Sequence, residues 1–86
     1  MPIVTVRYWA AAKHAAGVAE ETLDASTLAE ALAEAVARRP AADEFAAVLA
    51  RSSFLVDGEQ AGARGAEAVT LAAGAVIEVL PPFAGG

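Results

Sequence analysis

Residues 3–9, IVTVRYW, are rich in β-branched and aromatic side chains, the composition of a strand. Alternation sets Val4, Val6 and Tyr8 on one face, expected to be core, and Ile3, Thr5, Arg7 and Trp9 on the other. AAAKHAAG then reads as a short helix stopped at Gly17, where a residue without Cβ takes the left-handed cap. VAEETLD is a second strand, with Leu23 as its inward residue. The strongest local signal follows in STLAEALAEAVARRP. Thr27 and Glu30 have capping-box spacing, and Leu28, Leu32 and Val36 recur every four residues as one stripe. Arg38 and Arg39 suit the negative end of that helix, and Pro40 forbids its continuation. A shorter helix is predicted over 43–51, presenting Phe45, Val48 and Leu49 on one face.

SFLVDGE reads as a strand entering an Asp-Gly turn, and AGARGAEAVTLAAG as a loop anchored by Leu71. AVIEVL is the last strand, with Ile77 and Val79 on one face and Val76, Glu78 and Leu80 on the other. Pro81 and Pro82 end it because neither offers a ladder N–H. This order of elements predicts an α+β layer, one sheet covered on one face by a main helix. The right-handed crossover rule favours parallel, adjacent first and last strands.

The chain has 86 residues, room for one domain and one core. Hydrophobic residues make up 57% of it, but 25 are alanines, so the buried area must come from far fewer side chains. A net charge of -5 argues against non-specific binding to nucleic acid or to an anionic membrane. The longest uncharged stretch, residues 68–77, is too short to span a bilayer, and no charged segment leads into an apolar one at the start. A cytoplasmic location is expected. Without cysteine there is no disulfide, no thiolate nucleophile and no soft metal site.

Catalytic constellations are missing from the pattern. His14, the only histidine, has no carboxylate or thiol at ligand spacing and reads as a surface imidazole. Glu20-Glu21 and Asp43-Glu44 read as solvated charge, the latter also as a helix-start dipole partner. The scattered glycines form neither a P-loop nor a dinucleotide fingerprint. What remains is the ending, VLPPFAGG. A terminal Gly-Gly arises by composition in roughly one chain in two hundred, but here it follows a strand and a proline pair that keeps the next residues out of the sheet. Such a tail is a probe: two glycines enter a channel too narrow for any Cβ, and the carboxylate arrives first. A carboxylate is inert until activated as a mixed anhydride with a nucleotide phosphate, which a sulfur nucleophile can then displace. This sequence offers no base, metal or thiol for those steps, so partners must perform them.

LPPFAGG, after AGAVIEVL and with VTVRYWAAAKHAAG at the front, resembles the small sulfur-carrying subunit of molybdopterin synthase, in a ubiquitin-like, β-grasp family. The resemblance spans essentially the whole chain and implies a β-grasp domain over 1–80, with a mixed sheet of four to five strands, and a flexible tail over 81–86. It implies that Gly86 is adenylated by an activating enzyme related to ubiquitin activators, at the expense of ATP, and then converted to a thiocarboxylate. The tail, Gly85 and Ala84 threading and Pro81-Pro82 at the base, would enter the large catalytic subunit and give sulfur to cyclic pyranopterin monophosphate, forming the dithiolene that binds molybdenum. The chain would then be a carrier subunit of a sulfurtransferase with no catalytic residues of its own and no permanently bound cofactor. Its partners would be the large subunit, in a heterotetramer, the adenylating enzyme and a sulfur donor protein. Phe83 stands where a smaller aliphatic is common in that family, and Ala73 and Ala75 stand where acids are frequent.

If the first and last strands are parallel neighbours, Trp9 and Leu80 finish on one outer face beside the tail root. They are expected to form an exposed apolar patch on which partners dock, with Lys13 available to acidic partner surface and Arg7 paired to Glu78. Two other readings remain. Sulfur carriers for thiazole or cysteine synthesis share the fold and the Gly-Gly end, and a β-grasp interaction module or protein modifier would use the tail to form amide bonds, or not at all.

Overall fold

In the computed structural model, which describes residues 2–61 and 65–82, alternation along β1 (Ile3–Tyr8) buries Val4, Val6 and Tyr8 and leaves Ile3 and Arg7 exposed. A short helix, α1 (Ala10–Ala16), ends at Gly17, which takes the left-handed cap and donates its N–H to the Lys13 carbonyl. Then come β2 (Glu20–Asp24), α2 (Leu28–Ala37), α3 (Ala42–Arg51), β3 (Ser53–Val56), β4 (Glu59–Ala61), a 3-10 turn at Ala66–Ala68 and β5 (Val76–Leu80). The strands form one sheet in the order β2-β1-β5-β3-β4. β1 and β5 run parallel, with Val6 opposite Ile77 and Tyr8 opposite Val79, and the other neighbours are antiparallel. A mixed sheet of this order covered on one face by helices is a β-grasp fold, and the expected pairing of first and last strands is present.

The core lies between sheet and helices: Val4, Val6, Tyr8, Leu23, Phe54, Ile77 and Val79 from the strands meet Leu28, Phe45, Val48 and Leu49 from the helices. Phe45 meets the Tyr8 ring edge-on, with centroids 5.5 Å apart. The stripe expected on α2 is corrected. Leu28 is buried, but the residues that complete the buried face are Ala31 and Ala35, while Leu32 and Val36 are only half-buried. Small side chains let α2 approach the sheet closely, and the bulkier ones turn toward α3, where they line a shallow groove with Ala46, Leu49 and Phe54.

The start of α2 is set by its predicted cap. Thr27 accepts the Glu30 N–H at 3.1 Å, and the Glu30 carboxylate reaches back to the N–H of Ser26 at 2.8 Å, one residue before the cap. Thr27→Ala is expected to cost about 1 kcal/mol, read as a lower urea midpoint at unchanged m-value. The loop before β5 is tied to the same place: Thr70 bridges to Thr27, Leu28 donates its N–H to the Val69 carbonyl, and Leu71 is buried. Asp57 and Gly58 both have positive φ, 50° and 85°, which matches the right-handed twist of the β3–β4 hairpin. The Asp57 carboxylate also accepts the Val76 N–H at 2.9 Å and so starts β5 in register. Among the described residues no helix is long and apolar enough to cross a membrane.

Candidate functional site at the root of the tail

β5 is the central strand, and it delivers the chain to Pro81 and Pro82 at one end of the sheet. Pro81 is buried and Pro82 exposed, while Phe83, Ala84, Gly85 and Gly86 lie outside the described residues. Beside this exit β1 ends. Tyr8 points into the core, and Trp9 leaves the sheet 47% exposed. The Trp9 N–H still bonds the Val79 carbonyl at 3.2 Å, and its own carbonyl accepts from Ala12 and Lys13, which opens α1. That abrupt change of direction sets Ala10 at φ 50°, a left-handed conformation that a residue with Cβ adopts only under constraint.

Trp9, Ala10, Leu80 and Pro81 line an apolar cleft at the tail root. A second, more open concavity shares Trp9 and Ala10 with this cleft and is bounded further by Lys13, His14, Gly17 and Val18. The structure therefore brings Trp9, Leu80 and Pro81 together, and sets Lys13 in the neighbouring concavity that Trp9 also lines. His14 is exposed, and among the described residues no group of His, Asp or Glu has the spacing to hold a metal ion.

Two expectations about charge are corrected. Arg7 and Glu78 are register partners on β1 and β5 but do not pair: Arg7 turns to Glu20 on the edge strand at 3.4 Å, and Glu78 accepts the indole N–H of Trp9 at 3.2 Å. A half-buried indole seeks an acceptor, and Glu78 is the carboxylate one step back on the same face. The second correction concerns Glu21, which is not a solvated charge. Its side chain is largely buried, pairs with Arg39 at 2.7 Å and Arg38 at 3.5 Å, and accepts the Tyr8 hydroxyl. Strand alternation separates Glu20, outward, from Glu21, inward, under the end of α2. Burial, followed by the hydrogen bond and the negative charge of Glu21, pushes the Tyr8 phenol well above its ordinary range. Arg39 stacks on Phe45 and Tyr8, its guanidinium carbon 4.5 and 5.3 Å from the ring centres. The cluster therefore backs β1 from inside, immediately before Trp9.

The fold is shared with solved proteins over nearly its full length. Small archaeal modifier protein 1 from Methanosarcina acetivorans aligns with a TM-score of 0.77 at 23% identity, covering 100% of this chain and 98% of its own. The protein of the same name from Haloferax volcanii aligns with a TM-score of 0.79 at 23% identity, covering 98% and 99%. A chain of the complex of subunits 1 and 2 of the molybdopterin-converting factor from Helicobacter pylori aligns with a TM-score of 0.67 at 23% identity, again covering 98% and 99%. No curated protein matches the chain by sequence. The ThiS family model matches residues 6–86, from inside β1 through both terminal glycines, so the chain belongs to the ThiS family and has the fold of the small ubiquitin-like sulfur carriers.

Proposed function

We propose that the protein is the sulfur-carrier subunit of a molybdopterin synthase, working in the cytoplasm. The carboxylate of Gly86 attacks the α-phosphate of ATP on an activating enzyme, giving an acyl-adenylate and pyrophosphate. Sulfide-level sulfur supplied by a donor protein then attacks the acyl carbon, displaces AMP and leaves a thiocarboxylate. Within the large catalytic subunit two such carriers in turn each pass one sulfur to cyclic pyranopterin monophosphate, making the two sulfurs of the dithiolene, and water restores each carboxylate. The carrier's own residues present the tail: Pro81 and Pro82 keep it off the sheet, Phe83, Ala84, Gly85 and Gly86 thread a narrow channel, and Trp9, Leu80 and Lys13 meet the partner.

The observation that carries this reading is the family match running through Gly86, on a fold whose central strand ends at the apolar cleft beside Pro81. The subunit 1 and 2 complex among the structural relatives supports a large-subunit partner. The test is the protein bearing a C-terminal thiocarboxylate, mixed with a synthase large subunit and cyclic pyranopterin monophosphate. Dithiolene pterin should form as the carrier returns to a carboxylate. Sulfur retained on Gly86, with a large subunit shown active with its own carrier, would mean that another pathway receives it.

A second reading is favoured by the two relatives named as modifier proteins. In it the activated carboxyl forms an amide with a lysine instead of accepting sulfur. Mass spectrometry after activation separates the two, since one product is a thiocarboxylate and the other a conjugate.

A further inference from the structure

We propose that Glu78 is the positioning residue for Trp9, holding the indole as a fixed wall of the tail-root cleft so that the partner docks on a surface formed in advance; this rests on the carrier reading above. The backbone of Trp9 is restrained on both sides. Its N–H is on the Val79 carbonyl, its carbonyl accepts from Ala12 and Lys13, and Ala10 at φ 50° fixes the direction in which the chain leaves. What the backbone leaves free is rotation of the side chain. The contact from indole Nε1 to the Glu78 carboxylate, 3.2 Å, supplies that last restraint.

The choice of residue at 78 is not explained by the sheet. On the open face Glu78 sits between Val76 and Leu80, both half-buried and apolar, and its register partner Arg7 is engaged with Glu20. Among the described residues Glu78 has no cation against it, so its hydrogen bond to the indole is the contact that accounts for a carboxylate there. With the ring held, Trp9 lines both the apolar cleft at Leu80 and Pro81 and the concavity at Lys13 and His14 in one fixed position. A ring free to swing would change the shape of both. Ordering a side chain only on binding weakens association, and prior ordering removes that loss.

Trp9 is the only tryptophan, so its emission reports on this one site. Time-resolved anisotropy and acrylamide quenching of the free protein, with calorimetric binding to a synthase large subunit, are measured for wild type, Glu78→Ala and Glu78→Gln. Glu78→Ala should show faster local motion of the indole and roughly three- to tenfold weaker binding, with an unchanged urea midpoint. Glu78→Gln, whose amide oxygen accepts the same bond, should restore both. Unchanged indole motion in Glu78→Ala overturns the proposal, as does Glu78→Gln binding as weakly as Glu78→Ala while its indole stays ordered. If the wild type fails to bind, the carrier reading falls, and the anisotropy of the free protein still decides whether Glu78 positions Trp9.

Discussion

One alanine added after Gly86 is expected, on the proposed carrier function, to abolish sulfur transfer and to leave the melting curve of the protein where it was. The proposed chemistry requires a free carboxylate: an amide carbonyl at Gly86 has no ionised oxygen to attack the phosphorus of ATP, so neither an adenylate nor a thiocarboxylate can form at Gly86. The extended chain would end in a new carboxylate, one residue too long and next to a Cβ where the channel is read as admitting glycine alone. Three measurements on one sample follow the loss. Pyrophosphate release by the activating enzyme reports adenylation, intact mass reports exchange of oxygen for sulfur, and dithiolene pterin reports delivery. Stability should not move, because the added residue follows β5, which ends at Leu80, and the core of the described residues is drawn from that strand and what precedes it. Sulfur transfer by the extended chain at wild-type rate would remove Gly86 from the mechanism.

The largest effect expected on stability comes from Arg39→Ala, about 3 kcal/mol, or a fall of about 15 °C in Tm. Its side chain is only 9% exposed and does four jobs. It pairs with Glu21 at 2.7 Å, donates to the Ala16 carbonyl at the end of α1 and to the Ala35 carbonyl in α2, and stacks on Phe45 and Tyr8. Removing it leaves the Glu21 carboxylate largely buried, with the Tyr8 hydroxyl still donating and only Arg38, a longer contact, as its remaining cation. Lysine keeps the charge but neither the fork nor the flat face, so Arg39→Lys should fall between wild type and alanine. A double-mutant cycle with Glu21→Ala should show a coupling of about 1 kcal/mol or more. Additive losses would mean that the stacking, and not the ion pair, carries the effect.

The same cluster sets an alkaline limit. The fold holds the Tyr8 phenol in its neutral form more firmly than the unfolded chain does. Its contribution is therefore complete below the unfolded value, near 10, and declines as pH rises beyond it.

Much of the scaffold can be read from local pattern alone. Alternation from Val4 to Tyr8 found the buried face of β1, Gly17 marked the end of α1, and Thr27 with Glu30 placed the start of α2. Each of these rests on neighbours in sequence. What escaped depends on distant partners. The face of α2 that packs is decided by how closely the sheet can approach alanine, and periodicity scored by side-chain size selected Leu32 and Val36 instead. Glu21 looks like any strand carboxylate until α2 returns Arg38 and Arg39 above it, and Arg39 looks like a helix-end charge until Tyr8 and Phe45 enclose it. At the tail root, parallel pairing of β1 with β5 was enough to put Trp9 near Leu80. It was not enough to choose between Arg7 and Trp9 as the partner of Glu78, because that depends on where the edge strand offers Glu20.

The place of β5 in the sheet has a mechanical consequence. A partner that draws in the tail pulls on Pro81 along the axis of a strand flanked on one side by β1 and on the other by β3. The load then falls in shear on two ladders of hydrogen bonds at once, which must slip together. A tail hung from β2 or β4, the edge strands, would instead peel them away one bond at a time. Anchored at the centre, a tail drawn in by a partner would load the sheet where two ladders resist it together.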